Sequence, residues 1–312
     1  MPDILISEVF FGAEVESLRG RFEVVEAPEM WREPERLLAA IPECRALIVR
    51  NQTRVDAALI QAGRRLEVIG RAGVGMDNID LRAAQAGGVT IVYTPEENSN
   101  SVAELTLGLM LALARKLPAA DRETRAGGWD RKALLGVELA GKTLGLIGCG
   151  RIGRLTAAKA RALGMEVIAY DPHLGPGAEP GPELLSLEDL LARADFVSCH
   201  VPETEETKGM LGFAQFSRMK PAAYFVNAAR GGIVDEEGLA RALAERRIAG
   251  AALDVRAQEP PGEGNALAAM ENVILTPHVG AFTCEAQERV VASICHDVAA
   301  VLSGEEPRHV LK

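Results

Sequence analysis

The sequence predicts an α/β protein built from two parallel-sheet domains, one inserted into the other. Short β-branched runs alternate with helical patterns along almost the whole chain. The runs are nearly continuous in apolar character, as strands are when both faces of a sheet are covered. The alternation also occurs twice, on either side of one long apolar helix, and 312 residues favour two cores over one.

In chain order, Asp3–Ser7, Ala46–Arg50, Leu66–Gly70 and Val89–Thr94 read as strands, and Val55–Arg65 is one of the helices between them. Ser101–Lys116 is a helix apolar around much of its circumference, so it should be buried on more than one side. The second series of strands is Lys142–Gly148, Glu166–Asp171, Asp195–Val201, Ala223–Ala228, Ala249–Val255 and Asn272–Pro277. His173–Glu183, rich in Gly and Pro, reads as a surface loop. A helical stretch, Glu285–Gly304, is left over after the second sheet, and such a helix often crosses back. The expected organisation is therefore a discontinuous first domain, 1–97 with 284–312, and a second domain, 98–283.

The net charge of −10 argues against nucleic acid or an anionic membrane as the partner. The start, MPDILISEVF, lacks the basic and apolar regions of a signal peptide. The most apolar run is too short to span a bilayer and carries Glu104. Five widely spaced cysteines without a CxxC fit reduced thiols in the cytoplasm, with no disulfide framework and no metal site.

Strand residues before Gly148 lead into Gly148-Cys149-Gly150-Arg151-Ile152-Gly153, then a helix, then a strand ending at Asp171. Gly148 permits the tight turn, Gly150 lets a pyrophosphate approach the backbone, and Gly153 lets helix and strand pack closely. Asp171 stands where a carboxylate accepts from ribose hydroxyls and repels a 2′-phosphate. The segment predicts a Rossmann-like domain that binds NAD rather than NADP.

Ligands of open parallel sheets sit beyond the carboxyl ends of the strands. Three later strand ends carry Arg230, then Asp254 and Glu259, then His278. Hydride removal from a 2-hydroxy acid needs a base near neutrality, a carboxylate to fix its tautomer, and a cation for the substrate's carboxylate. His278, Glu259 and Arg230 match those needs. The alternative is a rim salt bridge between Arg230 and Glu259, with His278 a bystander in a surface loop.

The chain resembles the D-isomer-specific 2-hydroxyacid dehydrogenases over nearly its full length. The likeness rests on LIVRNQTRV, VIGRAGVGMDNIDL, NSNSVAELTLGLMLALAR, the segment from GGWDRK through GCGRIGR, VNAARGGIVDEEGLARAL, GAALDV, EPP and TPHVGAFTCEAQ. Its first three motifs, with WDRK, lean toward the phosphoglycerate branch. The resemblance implies two flavodoxin-like and Rossmann-like domains. It also implies NAD-dependent oxidation of D-3-phosphoglycerate, the entry to serine synthesis, with His278 as acid/base, Glu259 as its partner and Arg230 as the polarising cation. By the same likeness, Arg151 and Ile152 line the pyrophosphate and Asp171 holds the ribose. Asp254 lies near the nicotinamide carboxamide, and Ala228, Ala229 and Gly280 also bind the cofactor. Gly73, Val74 and Gly75 offer backbone N–H groups to the substrate carboxylate, while Arg50, Asn51 and Arg71 contact its anionic end. Arg131 and Lys132 reach toward the phosphate from a neighbouring subunit, which would give an acidic protein a cationic pocket.

The family also implies a homodimer built around the Ser101–Lys116 helix, which can pair into tetramers; a core helix bridging two domains of one chain explains the same pattern. Two departures stand out. Val201 occupies a position where many relatives carry threonine, and the sequence ends at Lys312, so a C-terminal serine-sensing domain is expected to be lacking. Two further readings keep the fold: a reductase of glyoxylate, hydroxypyruvate or another small 2-keto acid, and a non-catalytic NAD-sensing binding protein.

Overall fold

The structure, a computed structural model, describes residues 2–10, 12–174, 181–262 and 264–311. The chain folds as two compact units, Met1–Asn98 with Phe282–Lys312, and Ser99–Ala281.

In the first unit the strands are β1 (Ile4–Ile6), β2 (Val24–Glu26), β3 (Ala46–Val49), β4 (Val68–Arg71) and β5 (Thr90–Tyr93). The helices between them are α1 (Val15–Arg19), α2 (Pro34–Ala40), α3 (Ala57–Ala62) and α4 (Leu81–Gly87). The sheet is parallel throughout, in the order β2-β1-β3-β4-β5. That is the flavodoxin-like order, whose switch point lies between β1 and β3. The pleat sorts the strands between two cores. Ile4, Ile6, Ala46 and Ile48 face one side, and Leu5, Leu47 and Val49 face the other.

The chain's last helix, Cys284–Leu302, covers the first of those faces with Val290, Val291, Ile294, Cys295 and Val298. Each fully buried aliphatic side chain is worth roughly 1.5–3 kcal/mol, so this helix is an integral layer. Gly70 allows the approach, because a Cβ there would lie 2.8 Å from Val298 Cγ2. Thr283 caps the helix by accepting from the Ala286 N–H at 3.1 Å. Residues 308–311 then close the exposed edge of β5, with Val310 bridging Val92 antiparallel.

In the second unit α5 (Ser99–Ala114) and α6 (Leu117–Arg125) precede β6 (Thr143–Ile147), α7 (Arg151–Ala162), β7 (Glu166–Tyr170) and β8 (Glu183–Leu184). There follow α8 (Leu187–Arg193), β9 (Phe196–Cys199), α9 (Phe213–Phe216), β10 (Tyr224–Asn227), α10 (Glu236–Ala244), β11 (Gly250–Leu253) and β12 (Val273–Leu275). All seven strands are parallel, in the order β12-β11-β10-β9-β6-β7-β8. This is the dinucleotide-binding order with one added strand, and its switch point lies between β6 and β9. Leu144, Leu146 and Phe196 pack on one face with Leu107, Met110 and Leu113 of α5, while Ile147, Val197 and Phe225 pack on the other.

Two strands lie outside those read from the sequence. β2 buries one residue of three and β8 is two residues long, so neither leaves an apolar run. Residues 175–180 of the Gly/Pro-rich segment lie outside the described residues. No helix among the described residues is long and apolar enough to cross a membrane.

Candidate active site

Gly148 ends β6 with φ +93°, and a Cβ there would lie 2.8 Å from the His200 carbonyl oxygen, so the turn requires glycine. Gly153 packs α7 against that turn, since a Cβ would fall 2.4 Å from the Gly148 carbonyl oxygen. Gly150, at the helix start, has nothing within 4 Å of where its Cβ would be, and no side chain caps α7. An open backbone surface at a helix N-terminus suits a pyrophosphate. Asp171, just past β7, ties into this loop, with Oδ2 accepting the Cys149 N–H at 2.9 Å and Oδ1 the His173 N–H at 3.0 Å.

His200, at the end of β9, is inserted behind this loop. Its Nε2 lies 3.0 Å from Ser198 Oγ, while Nδ1 is buried without a partner, and burial lowers its pKa from 6.5 to about 4. It is a neutral histidine at physiological pH.

At the ends of β11 and β12 the geometry is tighter. His278 Nδ1 lies 2.7 Å from Glu259 Oε2, and Glu259 Oε1 accepts the Arg256 N–H at 3.0 Å. Burial pushes the Glu259 carboxyl up. The His278 and Arg256 hydrogen bonds, with the positive charges of His278 and Arg230, carry it below its ordinary value. His278 has φ +54°, a left-handed conformation costly for a residue with a Cβ. Asp254 holds the turn in that shape: its carbonyl accepts the His278 N–H at 2.8 Å, and its carboxylate accepts from Thr276 Oγ1, Val279 N and Gly280 N at 2.6–2.9 Å. A Cβ on Gly280 would sit 3.1 Å from that carboxylate.

Arg230 follows β10, where Ala228 and Ala229 are half-buried, and its Nη1 donates to the Ala229 carbonyl at 2.7 Å. Arg131 and Lys132 lie on an exposed segment and make no ion pair among the described residues. No group of three or more His, Cys, Asp or Glu among those residues could hold a metal.

In the first unit, Arg50 follows β3 and Arg71 ends β4; both are buried, while Asn51 is exposed. Arg50 donates to Gln287 Oε1 and lies 4.8 Å from the Phe282 ring centroid, and burial lowers its pKa. The nearby Glu8 is engaged by backbone, accepting the Arg50, Thr53 and Gln52 N–H groups at 2.8–3.1 Å. Glu8 and Gln287 were missed in the sequence, because their partners are 42 and 237 residues away. In the Gly73–Gly75 loop, the Gly73 N–H donates to the Arg71 carbonyl at 2.9 Å.

Residues 107–280 match the model of the D-isomer specific 2-hydroxyacid dehydrogenase, NAD binding domain. The chain belongs to the D-isomer specific 2-hydroxyacid dehydrogenase family. It is 46% identical over 279 residues to D-3-phosphoglycerate dehydrogenase of Archaeoglobus fulgidus, covering 89% of this chain and 53% of that protein. The chain thus spans just over half the length of the curated relatives it matches. Among solved structures it is similar to the TT0316 protein from Thermus thermophilus, with TM-score 0.94, 36% identity and 99% of each chain covered. It is also similar to a glyoxylate reductase from Paecilomyes thermophila, with TM-score 0.87, 32% identity, and 97% of this chain and 96% of that one covered. Within this family's NAD-binding domain, the open Gly150 backbone and the glycine-packed turn fit a bound dinucleotide.

Proposed function

We propose that this chain is an NAD-dependent oxidoreductase interconverting D-3-phosphoglycerate and 3-phosphohydroxypyruvate. The observation that carries the reading is the 2.7 Å bond between His278 and Glu259, set at strand ends of the family's NAD-binding domain. Gly148, Gly150, Arg151, Ile152 and Gly153 hold the pyrophosphate, Asp171 the ribose, and Ala228, Ala229, Asp254 and Gly280 the nicotinamide end. When bound, NAD supplies the hydride acceptor. Glu259 fixes a proton on His278 Nδ1, which leaves Nε2 to take the substrate's hydroxyl proton in oxidation and return it in reduction. Arg230 binds the substrate carboxylate and polarises the oxygen that becomes a carbonyl.

The acidic groups of the substrate are assigned to Arg50, Asn51, Arg71, the backbone N–H groups of the Gly73–Val74–Gly75 loop, and Arg131 with Lys132. Two buried guanidiniums and an exposed cationic pair are what a substrate with two anionic groups, a carboxylate and a phosphate, needs from a chain of net charge −10. The name of the Archaeoglobus relative supports phosphoglycerate in particular. The assigned setting is the cytoplasm, as the entry to serine synthesis.

The assembly is a homodimer, which can pair into tetramers, formed through an apolar surface of the second unit. Trp129 and Leu135 are each 79% exposed, and Leu111, Leu117 and Val137 of the same unit are exposed as well; large apolar side chains of that kind are ordinarily covered.

The test is the NADH-dependent rate with 3-phosphohydroxypyruvate, hydroxypyruvate, glyoxylate and 2-oxoglutarate, in wild type and in His278→Gln. Phosphohydroxypyruvate is expected to be fastest, and His278→Gln to lower kcat about 10²–10⁴-fold with NADH still bound. Unchanged turnover would remove His278 from the mechanism. A fastest rate on glyoxylate or hydroxypyruvate would favour the second reading, a reductase of small 2-keto acids, which the likeness to the glyoxylate reductase supports.

A further inference from the structure

Glu236 lies in the first turn of α10, away from the three side chains assigned to the chemistry, yet it is the most heavily engaged carboxylate near them. Its Oε1 accepts from Arg256 Nε at 3.1 Å and from the Ala257 N–H at 2.8 Å. Its Oε2 accepts from Arg256 Nη2 at 2.7 Å and Asn265 Nδ2 at 3.1 Å. Both side chains of the ion pair are largely buried, at 7% and 17% exposure for Arg256 and Glu236. Burial raises the Glu236 carboxyl's pKa, but the Arg256 fork and the two other donors bring it below the ordinary value.

The peptide held in this way has two other neighbours. The Arg256 N–H donates to Glu259 Oε1, the oxygen that His278 does not use. On the opposite side is Gly231, the residue after Arg230. A Cβ on Gly231 would fall 1.9 Å from the Arg256 carbonyl carbon and oxygen and 2.4 Å from the Ala257 nitrogen. The Arg230 turn therefore rests directly on the backbone that Glu236 fastens. A single short stretch of backbone, Arg256–Ala257, meets the turn of the polarising arginine, and its Arg256 N–H orients the carboxylate that orients the imidazole.

We infer that the Glu236–Arg256 ion pair is the positioning device of this site, setting Glu259 and the Arg230 turn relative to each other through the Arg256–Ala257 backbone. This rests on the proposed roles of His278 and Glu259. Glu236 and Arg256 are positioning residues, because no contact of theirs with the reacting groups is needed. A buried, forked ion pair suits the task, since its planar geometry fixes both distance and angle. Breaking it would let the 256–265 loop drift and would slacken the Glu259 carboxylate that holds the imidazole proton.

The test is a double-mutant cycle on the full chain, using the fastest acid of the four-acid panel with NADH. Glu236→Gln is nearly isosteric but offers one acceptor oxygen where four donors converge. It should lower kcat about 10-fold or more, as displacement of a catalytic group by a fraction of an ångström does. NADH affinity should stay unchanged, and the loss should fall on kcat rather than on the KM of the acid. In the Glu259→Gln background the same substitution should cost clearly less, because one of the two groups that Glu236 acts through has gone and only the Arg230 turn is left. Arg256→Lys, which keeps the charge but not the fork, repeats the cycle should Glu236→Gln fail to fold. Equal losses in both backgrounds, or a loss confined to KM, overturn the inference while leaving His278 and Glu259 in place. Wild-type rates in both His278→Gln and Glu259→Gln overturn the reading of the site itself, and the inference with it.

Discussion

Five histidines occur in the chain, and His200 and His278 of the second unit show how environment separates identical side chains. His278 gains a carboxylate and a left-handed backbone, and His200 gains burial with one hydroxyl partner. The pKa of His200 falls from 6.5 to about 4 because desolvation penalises its charged form. The unfolded chain therefore takes up this proton first as pH falls. Stability from a neutral His200 is complete above pH 6.5 and is lost as pH drops toward about 4. His200→Gln should flatten that limb, so its urea midpoint should fall less than wild type's between pH 7 and pH 5. An equal fall in both proteins would mean another group carries the acid sensitivity. Nothing in CHVPETEET distinguished His200 from a surface histidine, because its burial comes from the glycine turn at Gly148, far earlier in the chain. His278 was legible, because a proline, a strand end and a later-strand position all mark it in the sequence itself.

At the scale of elements, the last helix carries an unexpected residue. Asp297 is fully buried on a face made mostly of Val, Ile and Ala. It accepts the Arg308 and His309 N–H groups at 3.0 and 3.2 Å, with the imidazole nitrogens of His296 and His309 each 3.1 Å away. It thereby fastens the tail that covers the edge of β5, an edge that would otherwise expose unpaired backbone groups. Asp297→Ala should cost about 1–3 kcal/mol in denaturant unfolding, the usual penalty for stranding buried donors. It should also open residues 303–311 to limited proteolysis; a tail as resistant as wild type's would remove Asp297 from that role. Periodicity found the helix, since Val290, Val291, Ile294 and Val298 repeat at helical spacing. The buried aspartate has no such signal, because its partners lie beyond the helix. The same holds for Glu236, which in sequence is an ordinary acidic first-turn residue.

For the whole molecule, the exposed segment from Trp129 to Val137 bears on assembly and on the phosphate-facing cations together. Arg131 and Lys132 lie within it, beside Trp129 at 79% exposure. If a second copy covers this surface, the native mass is about twice 33.3 kDa by sedimentation. Trp129→Asp combined with Leu135→Asp should then give monomers. A wild-type mass of 33.3 kDa would place Arg131 and Lys132 outside any shared site.

The sequence by itself determined the two parallel sheets and the glycine turn of the dinucleotide loop. Each follows from contacts between near neighbours: apolar alternation, caps, and a turn that only glycine can make. Tertiary structure alone decided that Asp254 clamps the His278 turn, that Glu8 and Gln287 build the surroundings of Arg50, and that Glu236 reaches Arg256. Those choices depend on which strand ends the folded sheets bring side by side, across separations that no local pattern encodes.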